Sequence, residues 1–220
     1  MEHKLLSRPP VVSDDVSAGA PDTVAMADEP RVHPESRAAW RAWLQEHHRQ
    51  DSGVWLVSWK KRTGKPTVSY EEAVEEALCF GWIDGVLGRV DDDRSMQWFA
   101  QRRPKSTWAR TNKERVARLE AAGLMTDAGR EAVERARANG SWESLDAIDA
   151  LVVPGDLAAA LAGRPGAREL FEASSVSVRG SALAWVYQAK RPATRAARVE
   201  QVAAIAERGE PISNLWQRRD

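Results

Sequence analysis

The stretch from residue 69 to 103, SYEEAVEEALCFGWIDGVLGRVDDDRSMQWFAQRR, constrains the fold more than any other part of the chain. It opens with a serine followed three residues later by Glu72. That spacing lets the serine hydroxyl take a first-turn amide while the glutamate reaches back, so it predicts a helix start. Tyr70, Val74, Ala77 and Leu78 then recur at helical spacing, and Gly81 supplies the stop. Beyond Gly81 the period changes. WIDGVLGRV and SMQWFAQRR are rich in β-branched and aromatic residues and flank the turn-forming DDDR, which predicts an antiparallel hairpin. A helix leading straight into a hairpin requires a sheet with helices packed on it.

The flanking sequence extends this pattern. Trp40, Trp43 and Leu44 mark one face of a helix that Ser36 can cap, and VWLVSWKKR after Gly53 reads as a third strand. Thr111 and Glu114 have the spacing of a second capping box, opening a helix that stops at Gly123. TDAGREAVERARANG reads as another helix. From Pro154 onward only helical periods occur, over Asp156–Ala162, Gly166–Ala173, Val176–Lys190 and Pro192–Arg208, with Val199, Val202 and Ile205 facing inward. The expected class is α+β, a small antiparallel sheet packed with helices and followed by an all-helical C-terminal module. The expected division is a disordered tail over 1–30, an α+β core over 31–150 and the helical module over 151–220. The tail expectation rests on four prolines, few bulky apolar residues, and six acids against two bases.

Composition narrows the function classes. The 32 basic and 32 acidic residues balance, so global charge gives no reason for nucleic-acid or membrane attraction. No apolar run approaches the roughly 18 residues of a membrane span, and the N-terminus has no continuous apolar signal region. One cysteine permits no internal disulfide. These features predict a cytoplasmic protein without membrane insertion. Ten tryptophans against three phenylalanines and two tyrosines suggest an indole-rich core or an aromatic-lined pocket.

Three strings, SYEEAVEEALCFGWIDG, RRPKSTWARTNKERVARLEAAGLM and AKRPATRAARV, resemble the bacterial YdeI/OmpD-associated family, also called bacteriocin-protection proteins. The resemblance extends over residues 35 to 210. It implies a role in stress response and in protection against antibacterial peptides or compounds, and it brings no reaction with it. The chain departs from the family pattern at two points. Phe99-Ala100-Gln101-Arg102-Arg103 stands where Phe-Thr-Pro-Arg-Arg is usual, and Ala109 replaces the serine that follows the tryptophan.

Chemistry concentrates between residues 101 and 118, where seven basic residues face one acid, Glu114. One reading is a solvated face paired with the Glu71/Glu72/Glu75/Glu76 side and with Asp91, Asp92 and Asp93, each pair contributing about 0–1 kcal/mol. The other is an anion site in which Arg102, Arg103 and Lys105 lie beside the next helix N-terminus. Asp84 is expected to pair with one of these three cations, or to act as a general acid/base. Trp82 shares strand parity with Asp84. With Tyr70 and Trp108, it would wall a site whose floor is CFGWIDG, while Ile83 points into the core. Cys79 ends an apolar stripe without a neighbouring base, and His47–His48 lacks metal-ligand spacing. No phosphate-loop or nucleophile-elbow motif occurs. No metal or cofactor is expected. The primary expectation is a protection protein that binds a toxic small molecule or peptide, anionic or aromatic, in a Trp-lined, Arg/Asp-edged pocket. The alternatives are an enzyme that converts such a compound through Asp84, and an interaction module whose helical end docks a protein or nucleic acid.

Overall fold

The computed structural model describes residues 29–216, so nearly all of the expected tail lies outside the described residues. The described chain divides into two compact units, one ending at Ser144 and one beginning at Leu145. The class is α+β, with a small four-stranded mixed sheet.

The first unit holds the sheet. Its strands are β1 (Arg31–Val32), β2 (Val54–Trp59), β3 (Trp82–Arg89) and β4 (Arg94–Gln101), in the order β1-β2-β4-β3. The three long strands are antiparallel, with Trp55 opposite Trp98 and Asp84 opposite Phe99; the two-residue β1 adds a parallel edge. The helices are α1 (Arg37–His47), α2 (Tyr70–Cys79), α3 (Arg110–Ala121) and α4 (Asp127–Ala138). Ser36 caps α1, and the Ser69–Glu72 capping box forms in both directions. The expected second box does not form. α3 begins at Arg110 with Ala109 as its cap, so Thr111 already lies inside the first turn.

Strand parity sorts the sheet into two faces. Val54, Leu56, Trp82 and Phe99 join the core beneath the helices, together with Trp40, Leu44, Leu78 and Trp108. Trp55, Val57, Met96 and Trp98 form a second cluster from the opposite parity. The indoles are therefore mainly core. Trp40 stacks on Trp43, which meets Trp82 edge-on, and Trp40 Nε1 donates to the Ala73 carbonyl at 3.1 Å.

The second unit is helical, comprising α5 (Asp146–Asp149), α6 (Gly155–Ala162), α7 (Ala167–Ala173), α8 (Val176–Tyr187), α9 (Pro192–Glu207) and a 3₁₀ segment, Ile212–Trp216. Leu157, Phe171, Leu183, Val186, Val202 and Ile212 fill its core. Arg195 forms a two-pronged pair with Asp156, at 2.6 and 3.0 Å. Among the described residues no helix is long and apolar enough to cross a membrane.

Candidate functional site

CFGWIDG is where three elements of the first unit converge. Phe80 caps α2, and the chain reverses at Gly81 with φ of 75°. A side chain there would be strained by this backbone and would also meet the Ala128 carbonyl at 3.0 Å and the Ala132 Cβ at 3.1 Å. α4 docks against the same turn. The Thr126 hydroxyl and amide both donate to the Cys79 carbonyl, at 2.6 and 3.1 Å. A Cβ on Gly129 would collide with that carbonyl. The glycines thus let the N-terminus of α4 sit directly over the α2–β3 turn.

Beside this junction opens a cleft of about 430 Å³. The end of α1 contributes Gln45, His48 and Arg49; the turn contributes Phe80 and Gly81; the end of β4 contributes Gln101 and Arg102. α4 and its cap supply Thr126, Asp127, Ala128, Glu131 and Arg135.

Arg102 is the unusual member, at only 6% exposed. Its guanidinium lies 3.7 Å from the centre of the Trp108 ring, an arrangement that favours a cation. Nη1 donates to the Thr107 carbonyl at 2.9 Å and reaches Ser106 Oγ at 3.4 Å. Nε and Nη2 are buried and have no hydrogen-bond partner among the described residues. Burial pulls the Arg102 pKa down to about 9, while the charge of Asp84 opposes that shift. The side chain is therefore still a cation at neutral pH.

The other residues expected in the site divide into three groups. Trp82 is corrected from a ligand wall to a core residue. It is 0% exposed, and its Nε1 donates to the His48 carbonyl at 2.9 Å. It does share a face with Asp84, but helices cover that face, and Ile83 lies half-buried on the other side, opposite Ala100. Trp108 is likewise sealed, backing Arg102 on one side and packing on Trp142 at 4.9 Å. Neither indole offers a face to the cleft.

The expected clasp between Asp84 and Arg102, Arg103 or Lys105 is not a direct ion pair: Asp84 acts on Arg102 through its charge, and its hydrogen-bond partner is Tyr70. Tyr70 Oη donates to Asp84 Oδ2 at 2.8 Å. Burial of the hydroxyl, and then the adjacent carboxylate, pushes the Tyr70 pKa up to about 12. The tyrosine itself is 56% exposed. Arg103 and Lys105 are exposed and do not line the cleft. The Arg102/Arg103 contrast follows from adjacent strand-end residues pointing to opposite sides.

Much of the remaining basic segment is matched by acids. Arg115 pairs with Glu71 at 2.6 Å, and Arg118 reaches both Glu71 and Glu75. Asp91 and Asp93 pair with Arg94 and Arg62. Cys79 is buried, and its thiol pKa is raised by burial and by Glu76. Among the described residues no group of three or more metal-ligating side chains gathers.

Sequence reasoning did not anticipate the contributions of α1 and α4. Thr126 and Asp127 were legible as a helix start, but no local signal places that start against residue 81.

Residues 32–132 match a family model described as a domain of unknown function, DUF8412. The cleft is built mostly from this segment, with Arg135 just beyond it. Residues 150–209 match the model described as bacteriocin-protection, YdeI or OmpD-associated. Of the three strings that suggested that family, AKRPATRAARV falls in this second match, and the other two fall in the first. No curated protein and no solved structure matches the chain. Residues 150–209 thus carry a domain that matches the bacteriocin-protection, YdeI or OmpD-associated family.

Proposed function

We propose that the chain is a cytoplasmic protection protein that binds a toxic small molecule or peptide in the Arg102 cleft. The observation that carries this reading is the buried guanidinium with two unused donors. Each unmet buried donor costs about 1–3 kcal/mol, and a ligand acceptor would recover that cost. The cleft volume lies in the range of small-molecule sites. The family match supports the protective role.

Binding is favoured over conversion. Cys79 is sealed and its pKa is raised, which disfavours a thiolate nucleophile. Asp84, held by Tyr70, is assigned as a charge partner that offsets the burial of Arg102 rather than as an acid/base. Arg103 and Lys105 are assigned to steering an anionic ligand rather than to contact.

The test is survival. Bacteria expressing the full chain are challenged with a panel of bacteriocins and small antibacterial compounds, beside cells carrying Arg102→Met. Wild type should protect against at least one agent, and the variant should lose that protection while remaining folded. Equal protection by the variant, or none by wild type across the panel, would sink the reading.

A further inference from the structure

The geometry points to a carboxylate as the group that the cleft holds, seated on the Nε–Nη2 edge of Arg102. This inference rests on the reading of the cleft as a ligand site and goes on to name the chemistry of the ligand.

The guanidinium has one hydrogen-bonded end and one edge without a hydrogen-bond partner among the described residues. Nη1 is taken by the Thr107 carbonyl and by Ser106. The unused N–H groups are on Nε and Nη2. These two donors are parallel and side by side, and they match two oxygens of a planar oxyanion in a bidentate fork. Stacking on Trp108 at 3.7 Å fixes the plane of the fork. An acceptor with one oxygen would satisfy only one of the two donors.

The rest of the cleft favours a single negative charge. Arg49, Arg102 and Arg135 line it together with Asp127 and Glu131, leaving one net positive charge. A phosphate dianion would face both carboxylates, whereas a carboxylate monoanion balances the excess. The first turn of α4 lines the same cleft through Asp127 and Ala128. The amides at the start of a helix have no acceptor within it and favour an anion. Nε and Nη2 are closed off from solvent, so an entering oxygen requires side chains at the floor to move aside.

The experiment titrates the full chain with benzoate, with benzamide as the uncharged analogue of the same shape, and with inorganic phosphate. Calorimetry gives affinity, and the Nε–H resonance of Arg102 reports occupancy in wild type. Benzoate should bind at least about tenfold more tightly than benzamide, the loss expected when a charge-assisted hydrogen bond is removed. It should also bind more tightly than phosphate and shift the Nε–H resonance. Arg102→Lys keeps the charge but not the fork, and should weaken benzoate by about tenfold or more. Arg168→Lys, in α7 of the second unit, should leave it unchanged.

Equal binding of benzamide, tighter binding of phosphate, or an Nε–H resonance that benzoate does not move would each overturn the inference. These readouts use wild type, so they hold even if Arg102→Lys does not fold. Loss of protection in Arg102→Met without benzoate binding would remove the carboxylate and leave the ligand site standing. Benzoate binding at Arg102 without any protection would keep the carboxylate site and remove the protective role.

Discussion

Glu76 and Arg102 are both charged and both buried in the first unit, at 2% and 6% exposed, but their surroundings differ. Glu76 projects from α2 and is partnered on both oxygens. Arg37 Nε and Arg41 Nη1 each donate to it at 2.6 Å, and Arg37 also reaches Glu75 at 2.9 Å. Arg102 has an indole face and one carbonyl, and no carboxylate within hydrogen-bond reach among the described residues. A buried charge with an ion-pair partner on each oxygen ties elements together, here α1 to α2. A buried charge with an empty edge gives its own fold little and has capacity left for a ligand. Burial alone does not distinguish the two roles; partner saturation does.

Four substitutions test that contrast. Trp82→Ala sets the scale of a purely structural loss, because Trp82 is neutral, sealed and bonded to the His48 carbonyl. It should cost about 3–5 kcal/mol in denaturant unfolding. Its half-buried neighbour should matter far less, with Ile83→Ala at about 1 kcal/mol. A cost at Ile83 equal to that at Trp82 would mean that the sheet faces are reversed.

Glu76→Gln comes next, at about 3 kcal/mol, since two arginines lose their common anion. A much smaller loss would break the comparison from the structural side. Arg102→Met should change stability by about 1 kcal/mol or less in either direction, because an unsaturated buried charge can be exchanged for an apolar side chain of similar length. A loss as large as that of Glu76→Gln would show that Arg102 is a tie after all.

The smallest effect concerns pH. The Tyr70 pKa is raised from 10.0 to about 12 in the folded protein. Its neutral form is therefore favoured by folding. That contribution is present below pH 10 and is lost as pH rises toward 12. The stability difference between wild type and Tyr70→Phe should narrow over that window. An unchanged difference across it would mean that the Tyr70–Asp84 bond does not persist in solution.

Local order was largely legible. Val176, Pro192 and the stops around residues 162 and 173 appear in the sequence as helix boundaries, because caps, prolines and apolar spacing act within one or two turns. The strand pair around DDDR was legible for the same reason. The Thr111 box failed because the chain enters α3 two residues earlier, and a capping pattern marks a start only where the preceding residue is not already helical. Parity correctly placed Trp82 and Asp84 on one face, but it carries no information about which face the helices cover.

The sequence by itself determined the α+β class, the order of the three long strands and the main helices, the Ser69–Glu72 cap and the placing of Trp82 with Asp84 on one side of a strand. All of these depend on short-range periodicity and turn chemistry. Only the tertiary structure decided that Trp82 is core, that Tyr70 rather than an arginine hydrogen-bonds Asp84, and that Arg102 is buried with two donors left without a partner among the described residues. Those outcomes depend on contacts between different elements, such as Tyr70 on Asp84, Trp82 on the His48 carbonyl and Thr126 on the Cys79 carbonyl, which join residues 14, 34 and 47 positions apart. A hydrogen bond across such a separation is set by how helices pack on the sheet, and no local pattern records it.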